Sequence, residues 1–101
     1  MSMLYAVISE DAEGSADQRK AAREAHIGRL VALKERGRLI LAGPHPAIDA
    51  AEPGPAGFTG SLVVAEFDSL EAAQVWADED PYVAARVYQR VTVKPFKKVL
   101  P

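Results

Sequence analysis

The sequence predicts a single α+β domain in which four strands and two helices follow one another in the order βαββαβ. Three observations favour this fold class: four short apolar runs typical of strands, two segments whose apolar residues recur at helical spacing, and capping or glycine signals at the helix ends. The order is that of the ferredoxin-like fold, so we expect a four-stranded antiparallel sheet with two helices on one face. The 101 residues, 49% hydrophobic and 26% charged, fit one globular domain over residues 1–101.

The first strand and the first helix are predicted by local signals at their ends. Residues 3–9 form a short apolar run before an acidic turn, which is typical of a strand. Ser15 is followed three residues later by Gln18, a capping-box pattern that predicts a helix start. The helix should continue to about Arg36 and end at Gly37, because glycine is favoured just after a helix C-terminus. Its apolar side chains have helical spacing: Ala22, Ala25, Ile27, Leu30, Val31 and Leu33.

A segment rich in turn residues separates a second strand over residues 38–42 from a third over residues 61–67. Residues 43–60 contain four glycines and four prolines, which predicts a long irregular loop. Loops of this length are uncommon in a compact domain and often cover or bind ligands. We therefore expect the 43–60 loop to shield a cleft.

The second helix and the fourth strand are predicted for the remainder of the chain. Residues 68–71 carry cap and first-turn signals, and apolar residues at helical spacing follow them. Asp80 before Pro81 predicts a new helix start, since aspartate suits the N-cap and proline suits the first helical position. Residues 89–99 form the last strand, with Pro95 near its end or on an edge of the sheet.

The predicted sheet is apolar on both faces. In the first strand Leu4, Ala6 and Ile8 alternate with Tyr5 and Val7, and the third strand repeats this pattern. Two helices can cover only one face, whereas a sheet with one solvated face would show polar alternation. We therefore expect the second face to pack against another copy of the chain in a homodimer. The alternative is that the long loop folds back over this face.

Composition disfavours several classes of protein. The formal net charge is −2, so the chain lacks the excess of basic residues that would indicate nucleic-acid binding. No apolar run approaches the roughly 20 residues that cross a membrane, and no basic segment at the start indicates a signal peptide. The absence of cysteine excludes disulfides, thiolate metal sites and a cysteine nucleophile, and it is consistent with a reducing cytosol. We expect a cytoplasmic protein without metal or organic cofactor that binds neither nucleic acid nor membranes.

His26 and Asp80 are the candidate acid–base residues. A histidine can take or give a proton near neutral pH, and a carboxylate bonded to one ring nitrogen leaves the other for a substrate. Both residues also have structural interpretations. His26 shares a helical stripe with Leu30 and Leu33 and could be a buried core residue, and Asp80 could serve only as an N-cap.

Three further residues are candidates for substrate binding. Ser61 opens the third strand and could hydrogen-bond a substrate oxygen, although the sequence by itself favours a hydroxyl that faces solvent. Tyr82 and Tyr5 could line a pocket or could simply pack in the core. No Gly-x-Ser-x-Gly pattern supports a serine nucleophile. His45 could join His26 in a metal site, but the spacing matches no metal-binding motif.

Eight short segments, in order along the chain, carry a specific resemblance. They are Leu4-Tyr5, Ala25-His26 with Leu30, Gly37-Arg38-Leu39, Ala42-Gly43-Pro44, Gly57-Phe58-Thr59-Gly60-Ser61, Ala65-Glu66-Phe67, Ala77-Asp78-Glu79-Asp80-Pro81-Tyr82 and Val93-Lys94-Pro95-Phe96. With these segments the chain resembles the YciI-like family (YCII-related domain) of the dimeric α+β barrel superfamily. The resemblance implies a ferredoxin-like fold, a homodimer and a site centred on His26 and Asp80. Relatives in the wider superfamily include isomerases, dehalogenating lyases and monooxygenases that act on small aromatic or lactone compounds.

Two functional hypotheses follow. In the first, the chain is an enzyme of isomerase or lyase type in which a His26–Asp80 pair moves protons on a small cyclic or aromatic compound. In the second, the same pocket binds a small metabolite without catalysis, or the domain serves as an oligomerisation unit.

Overall fold

The computed structural model describes residues 3–101, and Met1 and Ser2 lie outside the described residues. Four strands, three α-helices and one 3-10 helix follow one another along this part of the chain. Their bounds are β1 Met3–Asp11, α1 Ala16–Glu35, β2 Leu39–Pro46, the 3-10 helix Gly54–Ala56, β3 Phe58–Phe67, α2 Leu70–Asp78, α3 Pro81–Ala84 and β4 Tyr88–Phe96. The predicted order is confirmed, and α3 is the short helix that the Asp80–Pro81 pair predicts.

The strands form one antiparallel sheet in the order β2-β3-β1-β4. This is the strand order of a ferredoxin-like βαββαβ fold, so the predicted fold class is confirmed. β1 and β3 are the central strands, and β2 and β4 are the edges. Pro95 lies near the end of the edge strand β4, where a missing backbone N–H costs no ladder hydrogen bond.

Both long helices pack on the same face of the sheet. The buried core joins α1, α2 and the two central strands, through Leu30, Leu33, Ala73, Ala77, Tyr5, Val7, Val63, Ala65 and Phe67. The partly buried Trp76 extends this core, with its ring centroid 5.5 Å from that of Phe67. No helix within residues 3–101 is long and apolar enough to cross a membrane.

The N-terminus of α1 lies where the sequence predicts it, but the capping-box prediction is wrong. Ser15 occupies the N-cap position, yet its side chain makes no capping bond to the helix. Its hydroxyl instead donates a 2.7 Å hydrogen bond back to the carbonyl oxygen of Ala12. The backbone of Ser15 is not extended (φ −97°, ψ 12°), which differs from the β-region conformation typical of a capping residue.

The C-terminus of α1 follows the prediction closely. Gly37 has φ +73°, a left-handed conformation that favours glycine. The N–H of Gly37 donates to the carbonyl of Lys34, and the N–H of Arg38 donates to the carbonyl of Leu33. These two bonds form a Schellman motif, which satisfies carbonyl groups at the end of the helix.

The long loop is shorter than the sequence predicts. Residues 43–46 continue β2 and residues 58–60 begin β3, so the irregular connection and its 3-10 helix cover only residues 47–57. The prediction fails because Pro44 and Pro46 lie on an edge strand, where proline is tolerated. The ladder adapts to Pro46 by a register shift between His45 and Pro46.

Candidate active site

His26 of α1 and Asp80 at the start of α3 meet in the folded chain. The Nδ1 atom of His26 lies 2.9 Å from each carboxylate oxygen of Asp80. The two residues are 54 positions apart in sequence, and both are buried, with 5% and 4% of their surfaces exposed. The fold therefore brings together the two residues that the sequence suggests as an acid–base pair.

Asp80 is also an N-cap, so its two interpretations coexist. One carboxylate oxygen, Oδ1, accepts a 2.9 Å hydrogen bond from the backbone N–H of Tyr82. The backbone of Asp80 is extended, and Pro81 occupies the first helical position, as an N-cap with a following proline requires. The cap holds the carboxylate in place, and both oxygens remain close to His26.

The orientation of the His26 ring is fixed from two sides. Because a carboxylate accepts hydrogen bonds, the contact with Asp80 holds a proton on Nδ1 of the imidazole. The ring also stacks on Tyr82, with centroids 4.0 Å apart and planes inclined by 12°. Among the described residues, Nε2 of His26 has no hydrogen-bond partner. This arrangement leaves Nε2 as an acceptor for a proton.

A small cavity lies beside the ring. It has a volume of about 230 Å³ and is lined by His26, Ser61 and Tyr82 among others. Its polar wall also includes Arg19 and Arg23, and apolar side chains from α1, β2 and β3 complete it. This volume is below the range of about 300–1,000 Å³ found for sites that bind drug-sized molecules. The cavity therefore suits a small compound with both apolar and polar groups.

Tyr5 does not join this group. Its side chain is 6% exposed and lies in the core, with its ring centroid 6.3 Å from that of Phe67. It pairs with Ala65 across the sheet and is not part of the cavity wall that contains His26. The structure therefore places Ser61 and Tyr82 at the cavity and Tyr5 in the core.

The position of Ser61 depends on the glycine before it. Gly60 lies where β1 and β3 approach closely, and a Cβ atom at this position would overlap the carbonyl oxygen of Ser9. Ser61 follows directly and pairs with Ser9 on the helix-covered side of the sheet. Its side chain is consequently buried beside α1, and its hydroxyl is not the solvent-facing group that the sequence allows.

Arg19 is a site residue that the sequence interpretation missed, because arginine is a residue type that usually lies on the surface. Its guanidinium forms a bidentate ion pair with Asp11, at 2.8 and 3.0 Å. The same group donates to the carbonyl of Gly60 and, at 3.0 Å, to the hydroxyl of Ser61. The spacing of Arg19, Arg23 and His26 on one helical face is the sequence signal that could have indicated a shared site.

The charge of Arg19 is held by its surroundings. Burial lowers the pKa of Arg19, but the hydrogen bond and the negative charge of Asp11 raise it, and the net effect is an increase. Its guanidinium carbon lies 4.9 Å from the ring centroid of Tyr82 and 5.6 Å from that of Phe58. Contacts with aromatic faces also stabilise a cation. Arg19 is thus a permanently charged, rigidly placed donor in the cavity wall.

A second cation supports the far side of Asp80. Nη1 of Arg29 lies 3.7 Å from Oδ2 of Asp80, and Nη2 donates a 2.7 Å hydrogen bond to the carbonyl of Trp76. The guanidinium carbon lies 4.4 Å from the Trp76 ring centroid. Nη1 is buried and makes no hydrogen bond with any described residue. A buried carboxylate requires such compensation, because an uncompensated charge in the interior is strongly unfavourable.

A larger cavity adjoins the first. It has a volume of about 720 Å³, shares Arg19, Arg23 and Pro44 with the smaller one, and is bordered by the turn before α1. Residues 54–59, which include the 3-10 helix, form its other wall. The part of the 47–57 connection that the structure places near the site is therefore this 3-10 helix.

A protein metal site is usually built from several histidine or carboxylate side chains that lie close together. Within residues 3–101, no three histidine, aspartate or glutamate side chains lie close enough together to hold a metal ion. His45, the other histidine, is exposed on the edge strand β2, opposite Gly60.

Tyr88 gives the site a measurable pH dependence. Its hydroxyl donates a 2.9 Å hydrogen bond to Ser61, and burial raises the pKa of Tyr88 to about 12. A tyrosine in the unfolded chain loses its proton near pH 10, while the folded form keeps it. The stabilising contribution is therefore complete below about pH 10 and is lost as the pH rises towards about 12.

We expect Tyr88→Phe to unfold more easily than the wild type at pH 7, by about 1 kcal/mol, because a partly buried hydrogen bond is lost. At pH 11 the difference in the free energy of unfolding between the two proteins should be smaller. Tyr88 has by then lost part of its stabilising contribution, whereas phenylalanine does not titrate. Urea denaturation of both proteins at the two pH values measures this difference. An equal gap at both pH values would contradict the assignment of the alkaline transition to Tyr88.

The fold and the site define a small ferredoxin-like α+β domain with a buried histidine–carboxylate pair at the wall of a cavity. The chain belongs to the YCII-related domain family, whose model matches residues 3–97. The family resemblance inferred from the sequence is thereby confirmed.

Two relatives place the chain within this family. Protein YciI of Escherichia coli O6:H1 is 60% identical over 97 residues, covering 96% of this chain and 99% of that protein. A Haemophilus influenzae protein is 52% identical over 97 residues with the same coverage of both chains. These levels of identity extend over nearly the whole chain.

A solved structure shares the fold at lower identity. The 5-chloro-2-hydroxyhydroquinone dehydrochlorinase of Burkholderia phenoliruptrix AC1100, in complex with 2,5-dihydroxybenzoquinone, has a TM-score of 0.82 to this chain. Its sequence is 24% identical, and the match covers 94% of each chain. At this level of identity the likeness establishes the common fold.

Proposed function

We propose that the protein is an enzyme of isomerase or lyase type that moves a proton on a small cyclic compound. The observation that carries this proposal is the buried contact of 2.9 Å between His26 Nδ1 and Asp80, which leaves Nε2 free beside the cavity. An imidazole held in one tautomer by a carboxylate is a common arrangement for general acid–base catalysis. His26 is the proposed base and acid, and Asp80 is the residue that orients it.

In the proposed step, Nε2 of His26 takes a proton from a carbon next to a carbonyl group, and the electron pair of the C–H bond moves to give an enolate. The imidazolium then returns the proton to a different atom, which isomerises the compound. In the elimination variant, the electron pair of the former C–H bond forms a carbon–carbon double bond, and the bond to the leaving group breaks with its own electron pair departing on that group. The proton then passes from His26 to solvent. Asp80 stabilises the imidazolium through the Nδ1 hydrogen bond. Proton transfer of this kind requires neither a metal nor an organic cofactor.

The structural neighbour supports the choice of compound class. It is named as a dehydrochlorinase, and it holds a dihydroxybenzoquinone in its solved complex. Loss of HCl from a ring compound is an elimination, and a single-ring quinone suits a cavity of about 230 Å³. We therefore infer a small ring compound with oxygen substituents as the substrate class for this chain.

A proton-exchange assay tests the proposal without a known substrate. A panel of small hydroxylated and carbonyl ring compounds is incubated in D₂O with the protein, and exchange or elimination is followed by proton NMR. The panel includes 5-chloro-2-hydroxyhydroquinone, for which chloride release is a second readout. If the wild type accelerates exchange or elimination for at least one compound, the result supports an enzyme. Binding without acceleration across the panel supports the alternative, a non-catalytic metabolite-binding domain.

We also infer that the protein is a homodimer formed through the sheet face opposite the helices. Leu41, Leu62 and Val64 lie on this face, together with Ile8 and Phe96, as the cross-strand pairing indicates. Leu41 is 48% exposed and Phe96 is 41% exposed in the single chain. The part of the predicted 43–60 loop formed by residues 54–59 borders the cavity near α1.

We expect Leu41→Lys to convert the dimer into a monomer, because a lysine at the centre of an apolar interface leaves a charge without a partner. Sedimentation equilibrium should then give a mass near the 10.9 kDa of one chain, against twice that for the wild type. Val75→Lys is the matched control, since Val75 is similarly exposed on α2. A wild-type protein that sediments as a monomer would contradict the inferred dimer.

A further inference from the structure

The hydroxyl of Ser61 can donate one further hydrogen bond but has no free acceptor position. A serine hydroxyl has one proton to donate and two lone pairs to accept with. Nη2 of Arg19 donates to Ser61 Oγ at 3.0 Å, and the hydroxyl of Tyr88 donates to it at 2.9 Å. Both acceptor positions of Ser61 are thereby filled, and its own proton reaches no acceptor among the described residues. Ser61 is buried and lines the same cavity as His26.

The two groups that donate hydrogen bonds to the Ser61 hydroxyl, Arg19 and Tyr88, keep their protons at neutral pH. Arg19 is charged because Asp11 raises its pKa against the effect of burial. Burial raises the pKa of Tyr88 to about 12, so its hydroxyl remains protonated. The guanidinium of Arg19 has no lone pair with which to accept, and Tyr88 acts as the donor to Ser61, so the Ser61 proton is available to an acceptor on a ligand.

Arg23 supplies a positive charge at the same cavity. It lies one helical turn after Arg19 and one turn before His26, and it lines both cavities. The charge of Arg19 is compensated by its ion pair with Asp11, whereas Arg23 makes no ion pair or hydrogen bond with any residue in 3–101. Its charge is close enough to oppose the rise that burial causes in the pKa of Tyr82. The cavity wall thus contains one cation without a counter-charge.

We propose that Ser61 and Arg23 form a binding site for an anionic oxygen on the ligand, so that the ligand is a small ring carrying an ionised hydroxyl or a carboxylate. The serine proton and the guanidinium are complementary to such an oxygen, and charge-assisted bonds of this kind are stronger than neutral ones. The inference rests on the proposed function only for its catalytic consequence. If His26 removes a proton next to a carbonyl, the same two groups stabilise the enolate oxygen that forms.

Two pairs of probes separate the anion from the ring. Isothermal titration at pH 7 compares 2,5-dihydroxybenzoquinone, an acidic hydroxyquinone, with neutral hydroquinone, and benzoate with neutral benzamide. We expect the wild type to bind at least one anionic probe more tightly than its neutral partner. The first pair reports an ionised ring hydroxyl and the second a carboxylate, so the pair that responds identifies the kind of oxygen.

Variants of Arg23 and Ser61 test whether these two residues cause the preference for the anionic probe. Arg23→Gln and Ser61→Ala should each weaken the anionic probe by about tenfold, as expected for a charge-assisted hydrogen bond, and should change the neutral probe by less than about twofold. Lys34→Gln removes an exposed positive charge elsewhere on α1 and controls for net charge. Ser9→Ala removes a neighbouring buried hydroxyl and controls for folding.

The inference is overturned if the wild type does not prefer either anionic probe, or if both variants retain wild-type affinity for it. It is also overturned if Lys34→Gln weakens binding as much as Arg23→Gln, since the effect would then be one of overall charge. Circular dichroism of Ser61→Ala verifies the fold, and Arg23→Gln carries the test alone if that variant is unfolded. Because binding is measured without turnover, an inactive protein that prefers anions would refute the proposed reaction and leave this site intact.

Discussion

Asp80→Ala is expected to lower the free energy of unfolding by about 3 kcal/mol, which combines an N-cap of about 1 kcal/mol with a buried hydrogen bond to a charged group of about 1.5–3 kcal/mol. The carboxylate accepts from the backbone of Tyr82, contacts Nδ1 of His26 and lies beside Arg29. Its removal leaves these groups without their partner in a buried position. For a domain of this size the melting temperature should fall by roughly 15 °C.

Thermal and urea denaturation measure this loss, with Asp78→Ala as the matched control. Asp78 is exposed at the end of α2, so its replacement should change stability by less than about 0.5 kcal/mol. Asp80→Asn separates the two roles, because asparagine retains an N-cap but lacks the charge. A loss of only about 1 kcal/mol in Asp80→Ala would contradict a stabilising contact with His26, since that is the value of the cap alone.

His26→Asn is expected to reduce the rate of proton transfer by about 10²- to 10⁴-fold, the usual contribution of a general acid–base group. The asparagine amide can occupy the position of Nδ1 and still donate to Asp80, but it has no atom at the position of Nε2. The variant therefore retains the orienting contact and loses only the proposed base. The rate is measured on whichever compound of the exchange panel the wild type accelerates most.

His45→Asn is the matched control, because His45 is exposed on β2 and is not part of the proposed site. Circular dichroism and thermal denaturation verify the fold of His26→Asn, since this variant loses the stacking on Tyr82. A folded variant that retains the wild-type rate would exclude His26 as the base. Loss of activity in His45→Asn would show that the assay does not report the proposed site.

The fold was predictable because its signals are local. Gly37 ends α1, and Asp80 with Pro81 starts α3, since each residue type satisfies a backbone requirement at that position. The extent of β2 was not predictable in this way. Pro44 and Pro46 indicate a loop by their local preference, and only the position of β2 at the sheet edge makes them acceptable in a strand.

Some residues of the candidate site could be predicted from the sequence, and others could not because their roles depend on distant partners. His26 and Asp80 could be proposed from the sequence because their side chains suit acid–base chemistry and because the resemblance to the YciI-like family implies a site centred on them. The helical stripe and the N-cap position supported only their structural interpretations. The roles of Arg19 and Arg29 could not be predicted, because each depends on a distant partner: Asp11 for the first, and the carbonyl of Trp76 for the second. Tyr5 shows the reverse case, in which a plausible pocket residue pairs into the centre of the sheet and belongs to the core.

We propose that Asp80 holds the proton of His26 on Nδ1 and leaves Nε2 open to the cavity as a base, and the position of this proton can be measured directly. Long-range proton–nitrogen NMR spectra of the uniformly ¹⁵N-labelled protein report which ring nitrogen carries the proton when the imidazole is neutral. The His26 signals are assigned by their absence from His26→Asn. The proposed arrangement predicts a proton on Nδ1 and an unprotonated Nε2, with this preference lost in Asp80→Ala. A neutral ring that carries its proton on Nε2 would contradict it, because that nitrogen could then not accept a proton from a substrate.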